Sequence, residues 1–518
     1  MKLPYKKAAT IAIAMLLALS VSGTCASAAQ QGGSPGFYEI SSPYAGVDWA
    51  SAGQYKAANH THSTYSDGSN FRGDMLKDKY AKDFDIVAIT DHDVLTTSWD
   101  ANPDPAAGNW NNIGQGNLST AEMDAINNGA YDKSSPSPGT YGGSRTKGNG
   151  MIGLGGSNEI TASNEMFNGG GSNFSGHHIN AFFAGYSSDI LPAGHRTMAN
   201  ILAKVEELGG VTHLNHPGRY TGGQNNAARS SDPEIIGMYV GLYMEYESCI
   251  GIEIINKWDG ESVNDRILWD NILMQTMPQG RPVWGFSNDD SHSLSGNGHA
   301  WNVYLMPGLT GEDAKDAMEK GAFYGVSRID RKHNINSAGT PGSPAQTTTN
   351  DTMYSGGGNN EMALGFLSQD PPPSIANIEV DGNTITIEGE GYSFINWIAD
   401  GAVVATGETI DVSAHAGINS YVRAELVGST GVAYTQPFGI KAAVASSAAP
   451  AASIDKLSGN QNRLTITVTE NFSNGMENLV TVTIMISNNA AGVYDVGGYK
   501  VYVDTKGNDQ IRACYIVE

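Results

Sequence analysis

The sequence predicts an α/β domain with barrel-like closure, followed by two small all-β, sandwich-like modules. Between residues 53 and 335, short apolar runs alternate with amphipathic segments, a pattern typical of a parallel sheet with helical crossovers. After three consecutive prolines at 371–373, alternating strands with Asp-Gly and Gly turns replace that pattern. Polar residues follow several of the apolar runs, at the strand ends where parallel barrels carry their active sites.

The first 28 residues have the pattern of a secretory signal peptide. Lys2, Lys6 and Lys7 form a basic start, residues 8–23 form an apolar stretch too short for a comfortable membrane span, and Ala-Ser-Ala follows at 26–28. We therefore expect cleavage after residue 28 and a secreted or cell-surface bacterial protein with no membrane span in its mature form.

Charge and cysteine content narrow the function classes. The chain has 518 residues, enough for roughly two to four domains, and its 53 acidic against 30 basic residues give a net charge of −23. Such acidity argues against general affinity for nucleic acid or anionic lipid, although a positive metal cleft could still bind anions. Cys25 suggests a lipid anchor as a second interpretation, but Ser22-Gly23-Thr24 is a poor lead-in. Cys249 and Cys514 lie in different predicted domains, so two isolated thiols are expected and a disulfide between them is the less favoured alternative.

The predicted α/β domain begins after a lead-in at 29–52 and covers residues 53–335. A long insertion at 100–150 and a glycine-rich loop at 163–176 are expected to shape access to a site. Strands are predicted at 55–62, 85–90, 151–161, 178–186, 211–217, 251–258 and 281–292. Helices are predicted at 72–85, 119–131, 195–210, 261–277 and 310–326.

The remainder of the chain is predicted to be modular. Residues 336–373 form an irregular linker, and 374–441 form a β module that packs on the α/β domain. A small-residue linker at 442–453 leads to a second β module at 454–518. The sequence of this last module carries no chemistry of its own, and attachment to a cell wall is one role it could serve.

Histidines are concentrated in the α/β domain. Ten of the 12 histidines lie between His60 and His299. His60 and His62 are two residues apart on a predicted strand and therefore point to the same face. Asp67 follows in a turn, and Asp290 with His292 repeats the same two-residue spacing after the last strand. Clustered histidines and carboxylates at strand ends indicate a metal site.

Further donors follow other strands. Asp91, His92 and Asp93 end a buried apolar run, where a charged triplet is hard to explain by packing. Glu159 offers a carboxylate that can bridge two cations. His178 and His216 complete the set of candidates. In these two cases a neighbouring histidine competes for the same role, and the alternatives are His177 and His213. So many candidate ligands exceed the coordination of one ion, which predicts two or three ions.

This order of residues resembles the PHP (polymerase and histidinol phosphatase) family. The shared features are H-x-H-x4-D, Asp-His at a strand end, then Glu, His, His-Pro and a final D-x-H, spread over residues 53–335. The resemblance implies a distorted (βα)7 barrel, two to three divalent ions (Mn, Zn or Fe) and phosphate ester hydrolysis. The metal ligands that it implies are His60, His62, Asp67, His92, Glu159, His178, His216, Asp290 and His292.

The predicted function is therefore that of an exported phosphoesterase that uses a metal-activated hydroxide. Its catalytic residues would be Glu159 between two ions, Arg219 as a clamp on phosphate, and Asp91 orienting a ligand histidine. Lys257 is a weaker candidate for phosphate binding. The expected substrate is a small phosphorylated molecule, with a nucleotide or metabolite monoester favoured and an oligonucleotide as a further candidate.

Two alternatives come from different classes. A phosphodiesterase or nuclease, or an amide-cleaving metallohydrolase, would use the same donors on another bond. A non-enzymatic cell-surface scaffold would hold metals structurally and act through its β modules. A complete open cluster of donors argues against the scaffold.

Overall fold

The computed structural model describes residues 38–102, 115–129, 150–328 and 371–516, with short gaps inside the last two ranges. The predicted signal peptide, most of the insertion at 100–150 and most of the linker at 336–373 lie outside the described residues. Within the described ranges, no helix combines the length and apolar character that a membrane crossing requires.

The described residues form a mixed α/β protein, which confirms the predicted class. The helix Pro233–Glu245 is not among the predicted helices. Its start signal is nevertheless present in the sequence, because Asp232 caps it and proline is its first residue. The helices are α1 (Arg72–Ala81), α2 (Thr120–Asn127), α3 (Met198–Glu207), α4 (Pro233–Glu245), α5 (Ser262–Thr276) and α6 (Gly311–Lys320).

Strands occur in both halves of the described chain. In the first half they are β1 (Tyr38–Ser41), β2 (Gly53–Ala58), β3 (Ile86–Val87), β4 (Ile152–Gly153), β5 (Asn158–Thr161), β6 (Glu165–Met166), β7 (Asn173–Phe174), β8 (His178–Phe182), β9 (Val211–Leu214), β10 (Cys249–Asn256), β11 (Trp284–Asn288), β12 (Ala300–Met306) and β13 (Phe323–Ser327). In the second half they are β14 (Ser374–Asp381), β15 (Thr384–Glu390), β16 (Phe394–Ala399), β17 (Ala402–Thr406), β18 (Thr409–Asp411), β19 (Tyr421–Gly428), β20 (Gly431–Tyr434), β21 (Phe438–Ala442), β22 (Val444–Ser447), β23 (Ala451–Lys456), β24 (Gln461–Phe472), β25 (Glu477–Ser487), β26 (Gly492–Val496), β27 (Tyr499–Lys506) and β28 (Gln510–Ile516).

Two sheets carry the α/β part. The first has the order β11-β10-β9-β8-β5, in which β9, β10 and β11 are parallel and α4 and α5 supply the crossovers. The second contains parallel β2, β3 and β4; β12 pairs antiparallel with β2, and β13 pairs antiparallel with β12. All eight residues of β10 are buried, as expected for a central parallel strand.

The predicted closed barrel is not found among the described residues. The two sheets meet instead at isolated parallel bridges, Thr61 with Ser291 and His92 with Glu159. Strand β8 runs antiparallel to both β5 and β9, against the all-parallel expectation. The described part of the β5–β8 connection carries the short β6–β7 pair rather than a crossover helix, so β8 returns in the opposite direction.

The β strands after residue 371 join the α/β part directly. Strand β20 pairs with β13, which makes β19, β20 and β21 a continuation of the sheet that contains β2. The buried Arg423 guanidinium contacts both carboxylate oxygens of Asp270 on α5, at 2.8 and 2.9 Å. The Gln436 amide pairs with the backbone of Gly285 in β11 through two hydrogen bonds. These contacts therefore hold β11, the strand that leads to Asp290, against the strands that follow residue 371.

The last strands form smaller sheets. Strands β22–β25 make a four-stranded antiparallel sheet, and β26–β28 make a three-stranded one. Their shared core is a small aliphatic cluster that includes Leu464, Ile466, Val501 and Val503. The described residues of the C-terminal region form strands, and β22 and the start of β23 lie in the segment 442–453 that is predicted to be a linker.

Candidate metal centre

The structure brings all nine predicted ligands together at one edge of the two sheets. Their nitrogen and oxygen atoms form four overlapping groups, and the donor atoms of each group lie within 4.8 Å of one another. The groups are His62, Asp67, His92 and His292; His60, His62 and Asp290; His60, Glu159 and His216; and His92, Glu159 and His178. His60, His62, His92 and Glu159 each belong to two groups, so the groups form one continuous cluster.

Strand direction explains how distant residues converge. His60 and His62 follow the carboxyl end of β2, and His216 and Asp290 follow β9 and β11. His178 is instead the first residue of β8, but β8 is antiparallel to β9. Its amino end therefore lies at the same edge as the carboxyl ends of the others.

Glu159 lies at the centre of the cluster and is fully buried. One carboxylate oxygen, Oε1, lies 2.9 Å from His178 Nδ1 and 3.4 Å from His60 Nε2. The other, Oε2, lies 2.9 Å from His92 Nδ1 and 3.1 Å from His62 Nε2. One carboxylate thus faces imidazoles on both sides, as a bridging ligand would.

Asp290 and Asp67 provide the second and third carboxylates. Asp290 Oδ1 lies 3.3 Å from His60 Nε2 and 3.2 Å from His62 Nε2. Asp67 is half-exposed, and its Oδ2 lies 3.2 Å from His292 Nε2. The cluster is therefore deep on the side of Glu159 and open to solvent on the side of Asp67.

The histidines and carboxylates of the cluster shift one another's pKa values strongly. Burial alone would lower the pKa of His60, but the carboxylates of Asp290, Glu253 and Glu159 raise it well above its ordinary value. Burial would likewise raise the pKa of Glu159, yet His178, His60 and His92 hold it well below its ordinary value. Buried carboxylates in this cluster need positive charge beside them, which either protons or metal ions can supply.

The positions of the donor atoms are explained better by a bound metal than by hydrogen bonds between the side chains. Glu159 Oε2 and Asp290 Oδ1 are buried and close to imidazole nitrogens, but they make no hydrogen bond of acceptable geometry. Buried polar atoms normally have such partners. Imidazole nitrogens combined with carboxylate oxygens suit Zn, Mn and Fe. The residues present therefore fit divalent transition-metal ions.

The geometry separates the competing histidines. His177 Nε2 lies 2.8 Å from the Tyr239 hydroxyl in a buried pair, whereas His178 faces Glu159. The His213 ring stacks on Phe286 with ring centroids 4.6 Å apart. His216 Nε2 instead faces Glu159 Oε1 at 3.7 Å and belongs to one of the donor groups, so ring packing separates these two histidines.

The two adjacent aspartates also separate. Asp289 is buried, pairs with the Lys79 ammonium, and accepts backbone N–H groups from Gly298, His299 and Ala300. Asp290 alone faces the cluster. The aspartate selected by the D-x-H spacing is thus the one that lies among the candidate donors.

The predicted catalytic helpers are placed differently. Asp91 is buried and accepts hydrogen bonds from the backbone and hydroxyl of Ser63, both at 2.6 Å, and from the Ser66 hydroxyl at 2.8 Å. Ser66 Oγ in turn lies 3.2 Å from His62 Nδ1, so Asp91 reaches a ligand histidine through Ser66. Arg219 ends a short 3-10 turn, and its side chain lies outside the described residues.

Sequence reasoning missed Glu253. This fully buried carboxylate lies 2.7 Å from His60 Nδ1 and accepts the backbone N–H of His216 at 2.9 Å. A signal was available, because one acidic residue in the apolar run CIGIEIIN requires a buried partner.

Cations and strained backbone lie beside the cluster. Lys257 Nζ lies 2.8 Å from Asp290 Oδ2, and Arg196 Nη1 lies 3.6 Å from Asp93 Oδ1, next to His92. Asp93, His216, Lys257 and Asp290 have φ values of 55°, 29°, 49° and 43°. Left-handed backbone at non-glycine residues costs about 1–3 kcal/mol each and is concentrated at functional sites.

Comparisons with known proteins give only distant likeness. No family model and no curated protein matches the chain. Among solved structures, a two-domain protein from Bacteroides vulgatus that contains a predicted PHP-like metal-dependent phosphoesterase is 12% identical, with a TM-score of 0.34, covering 84% of this chain and 96% of that one. An amidohydrolase from Chromobacterium violaceum is 14% identical, with a TM-score of 0.24, and a candidate metal-dependent phosphoesterase from Bifidobacterium adolescentis is 15% identical, with the same TM-score. Each comparison covers 46% of this chain and 87% of the other.

Proposed function

We propose that this protein is an exported, metal-dependent hydrolase of phosphate esters. The observation that carries the proposal is the position of Glu159, a buried carboxylate with imidazoles on both oxygens and a share in two donor groups. A centre for a single ion would not require nine donors. Two or three divalent ions (Mn, Zn or Fe) fit this arrangement, with His60, His62, Glu159 and Asp290 on the deep side and Asp67 and His292 on the open side.

Divalent ions bound there would supply Lewis acidity and lower the pKa of water. The chain's own groups would do the rest. Glu159 would keep neighbouring donors at fixed spacing, and the strained backbone at His216 and Asp290 would hold their side chains in place. The half-exposed Asp67 marks the side from which a substrate and water can enter.

Phosphate is the favoured substrate group because two cations flank the donors. The Lys257 ammonium lies beside Asp290, and the Arg196 guanidinium lies beside Asp93. Both are partly exposed, so each can turn towards the oxygens of a bound anion. The substrate that we propose is a small monoester, such as a nucleotide or phosphorylated metabolite.

The arrangement of the strands around the cluster is part of the proposal. We infer that β2, β3, β5, β8, β9, β10 and β11 correspond to a distorted seven-stranded (βα) arrangement. The bridges from Thr61 to Ser291 and from His92 to Glu159 support this, because they lie where the two sheets would have to meet. All four of these residues are donors or immediate neighbours of donors.

The test is hydrolysis by the Mn²⁺-loaded protein of a nitrophenyl phosphate monoester and the matching diester. We expect faster release of nitrophenol from the monoester, with no release after metal removal or in Glu159→Gln. A preference for the diester would replace the monoesterase by a phosphodiesterase or nuclease. Turnover of neither, with metal confirmed bound, would contradict phosphate ester hydrolysis and turn attention to amide substrates.

A further inference from the structure

Glu253 connects three strands of the metal centre. It lies inside β10 and accepts hydrogen bonds from His60, from His216 and from two asparagines, Asn288 at 2.8 Å and Asn256 at 2.9 Å. Four contacts use the lone-pair capacity of an ionised carboxylate. His60 follows β2, His216 follows β9 and Asn288 ends β11, so one side chain joins elements that are far apart in the sequence.

The contact with His60 determines which ring nitrogen faces the cluster. The distance from Nδ1 to Glu253 Oε1 is 2.7 Å, so Nδ1–H donates to the carboxylate. The lone pair of a neutral ring is then on Nε2, which lies 3.3 Å from Asp290 Oδ1 and 3.4 Å from Glu159 Oε1. A carboxylate on the far nitrogen fixes the tautomer and makes the near nitrogen a stronger metal donor.

The contact with His216 fixes the backbone of that residue rather than its ring. Its φ of 29° is left-handed, a conformation that a histidine adopts only when the surroundings impose it. The His216 N–H donates to Glu253 Oε2 at 2.9 Å. Because both oxygens are used, one on His60 and one on His216, loss of this carboxylate would loosen two donors of the same group.

We propose that Glu253 is a positioning residue that sets metal affinity on the deep side of the centre. The affected positions are those that use His60 and His216. Among the described residues, no hydrogen bond or ion pair joins Glu253 to the open group of His62, Asp67, His92 and His292. The inference depends on the metal-binding part of the proposed function and not on the reaction.

The experiment compares three full-length proteins by stepwise Mn²⁺ titration and by metal count after dialysis. Glu253→Gln keeps the size of the side chain but cannot accept all four hydrogen bonds. We expect its deep-side affinity to fall about 10- to 100-fold, while the open-side step stays unchanged. Asp289→Asn is the control, because it removes another buried carboxylate without touching a ligand histidine. Circular dichroism confirms that this variant is folded at the titration temperature, and both steps should then stay unchanged.

Ring ¹⁵N chemical shifts in the metal-free proteins add a readout that general loosening would not move. At a pH above the raised pKa of His60, where its ring is neutral, the His60 signals should show Nδ1 protonated in the unsubstituted protein and in Asp289→Asn, and a mixed state in Glu253→Gln. Unchanged deep-side affinity, or equal weakening of every step in Glu253→Gln, would overturn the proposal. If the unsubstituted protein binds two or more ions but hydrolyses no phosphate ester, the proposed reaction fails while the role of Glu253 is still tested. An unsubstituted protein that binds no Mn²⁺ would overturn both.

Discussion

His178 Nδ1 lies 2.9 Å from Glu159 Oε1, while the adjacent His177 points the other way, to the Tyr239 hydroxyl. Two neighbouring histidines therefore have opposite roles, and they form a matched pair for mutation. We predict that His178→Gln lowers metal content and activity together, because it removes one donor of the group that contains Glu159. His177→Gln should keep both, at a stability cost of about 1 kcal/mol for the lost buried hydrogen bond. Metal analysis and thermal unfolding check both variants, and loss of metal in His177→Gln alone would reverse the assignment.

The adjacent aspartates give a second matched pair. Asp290→Asn should release metal, since Asp290 faces His60 and His62. Asp289→Asn should instead destabilise the fold by about 3–5 kcal/mol, because it leaves the buried Lys79 ammonium without its carboxylate. Denaturant unfolding and metal content measure the two effects separately. Full metal content in Asp290→Asn would show that the wrong aspartate had been chosen.

Lys257 is predicted to bind substrate rather than metal. Its ammonium lies 2.8 Å from Asp290 Oδ2 and is partly exposed. Lys257→Met should retain metal and raise KM for a phosphate monoester about tenfold, since a partly exposed charge-assisted contact contributes about 1.5 kcal/mol. Steady-state kinetics with metal content measured in parallel provides the check. An unchanged KM would remove Lys257 from the substrate site.

Metal affinity is predicted to rise with pH. In the metal-free protein, burial would lower the pKa of His92, but Glu159 and Asp67 raise it to about 10. A group with a raised pKa holds its proton at neutral pH, and the incoming metal must displace it. Mn²⁺ affinity should therefore increase from mildly acidic to mildly alkaline pH, with protons released on binding. Calorimetric titrations in two buffers of different ionisation enthalpy measure that release, and an affinity independent of pH would contradict it.

Much of the donor set could be predicted because it follows local rules. His60, His62 and Asp290 lie directly after apolar runs, and spacing alone indicates which side chains share a face. The same reasoning predicts the α/β class, since the apolar run in β10 and the spacing of apolar residues in α1 and α5 are visible in the sequence.

Other features depend on contacts between distant segments. Nothing local to residues 178–182 shows that β8 runs antiparallel, because direction follows from the connection before it. The continuation of the sheet from β13 into β20 joins residues more than a hundred positions apart. The single acidic residue in the apolar run of β10 indicates that Glu253 needs a buried partner. The sequence does not show which one, because His60 and His216 follow other strands. These features can be recognised only in the three-dimensional structure.

The central claim is that Glu159 organises a centre for more than one ion. The most direct measurement is the number of Mn²⁺ or Zn²⁺ ions bound per chain, determined by elemental analysis after dialysis, in the full-length protein and in Glu159→Gln. Our account predicts two or three ions in the unsubstituted protein and a loss of at least one in the variant, with the fold retained by circular dichroism. One ion or none in the unsubstituted protein, or an equal count in both proteins, would contradict it.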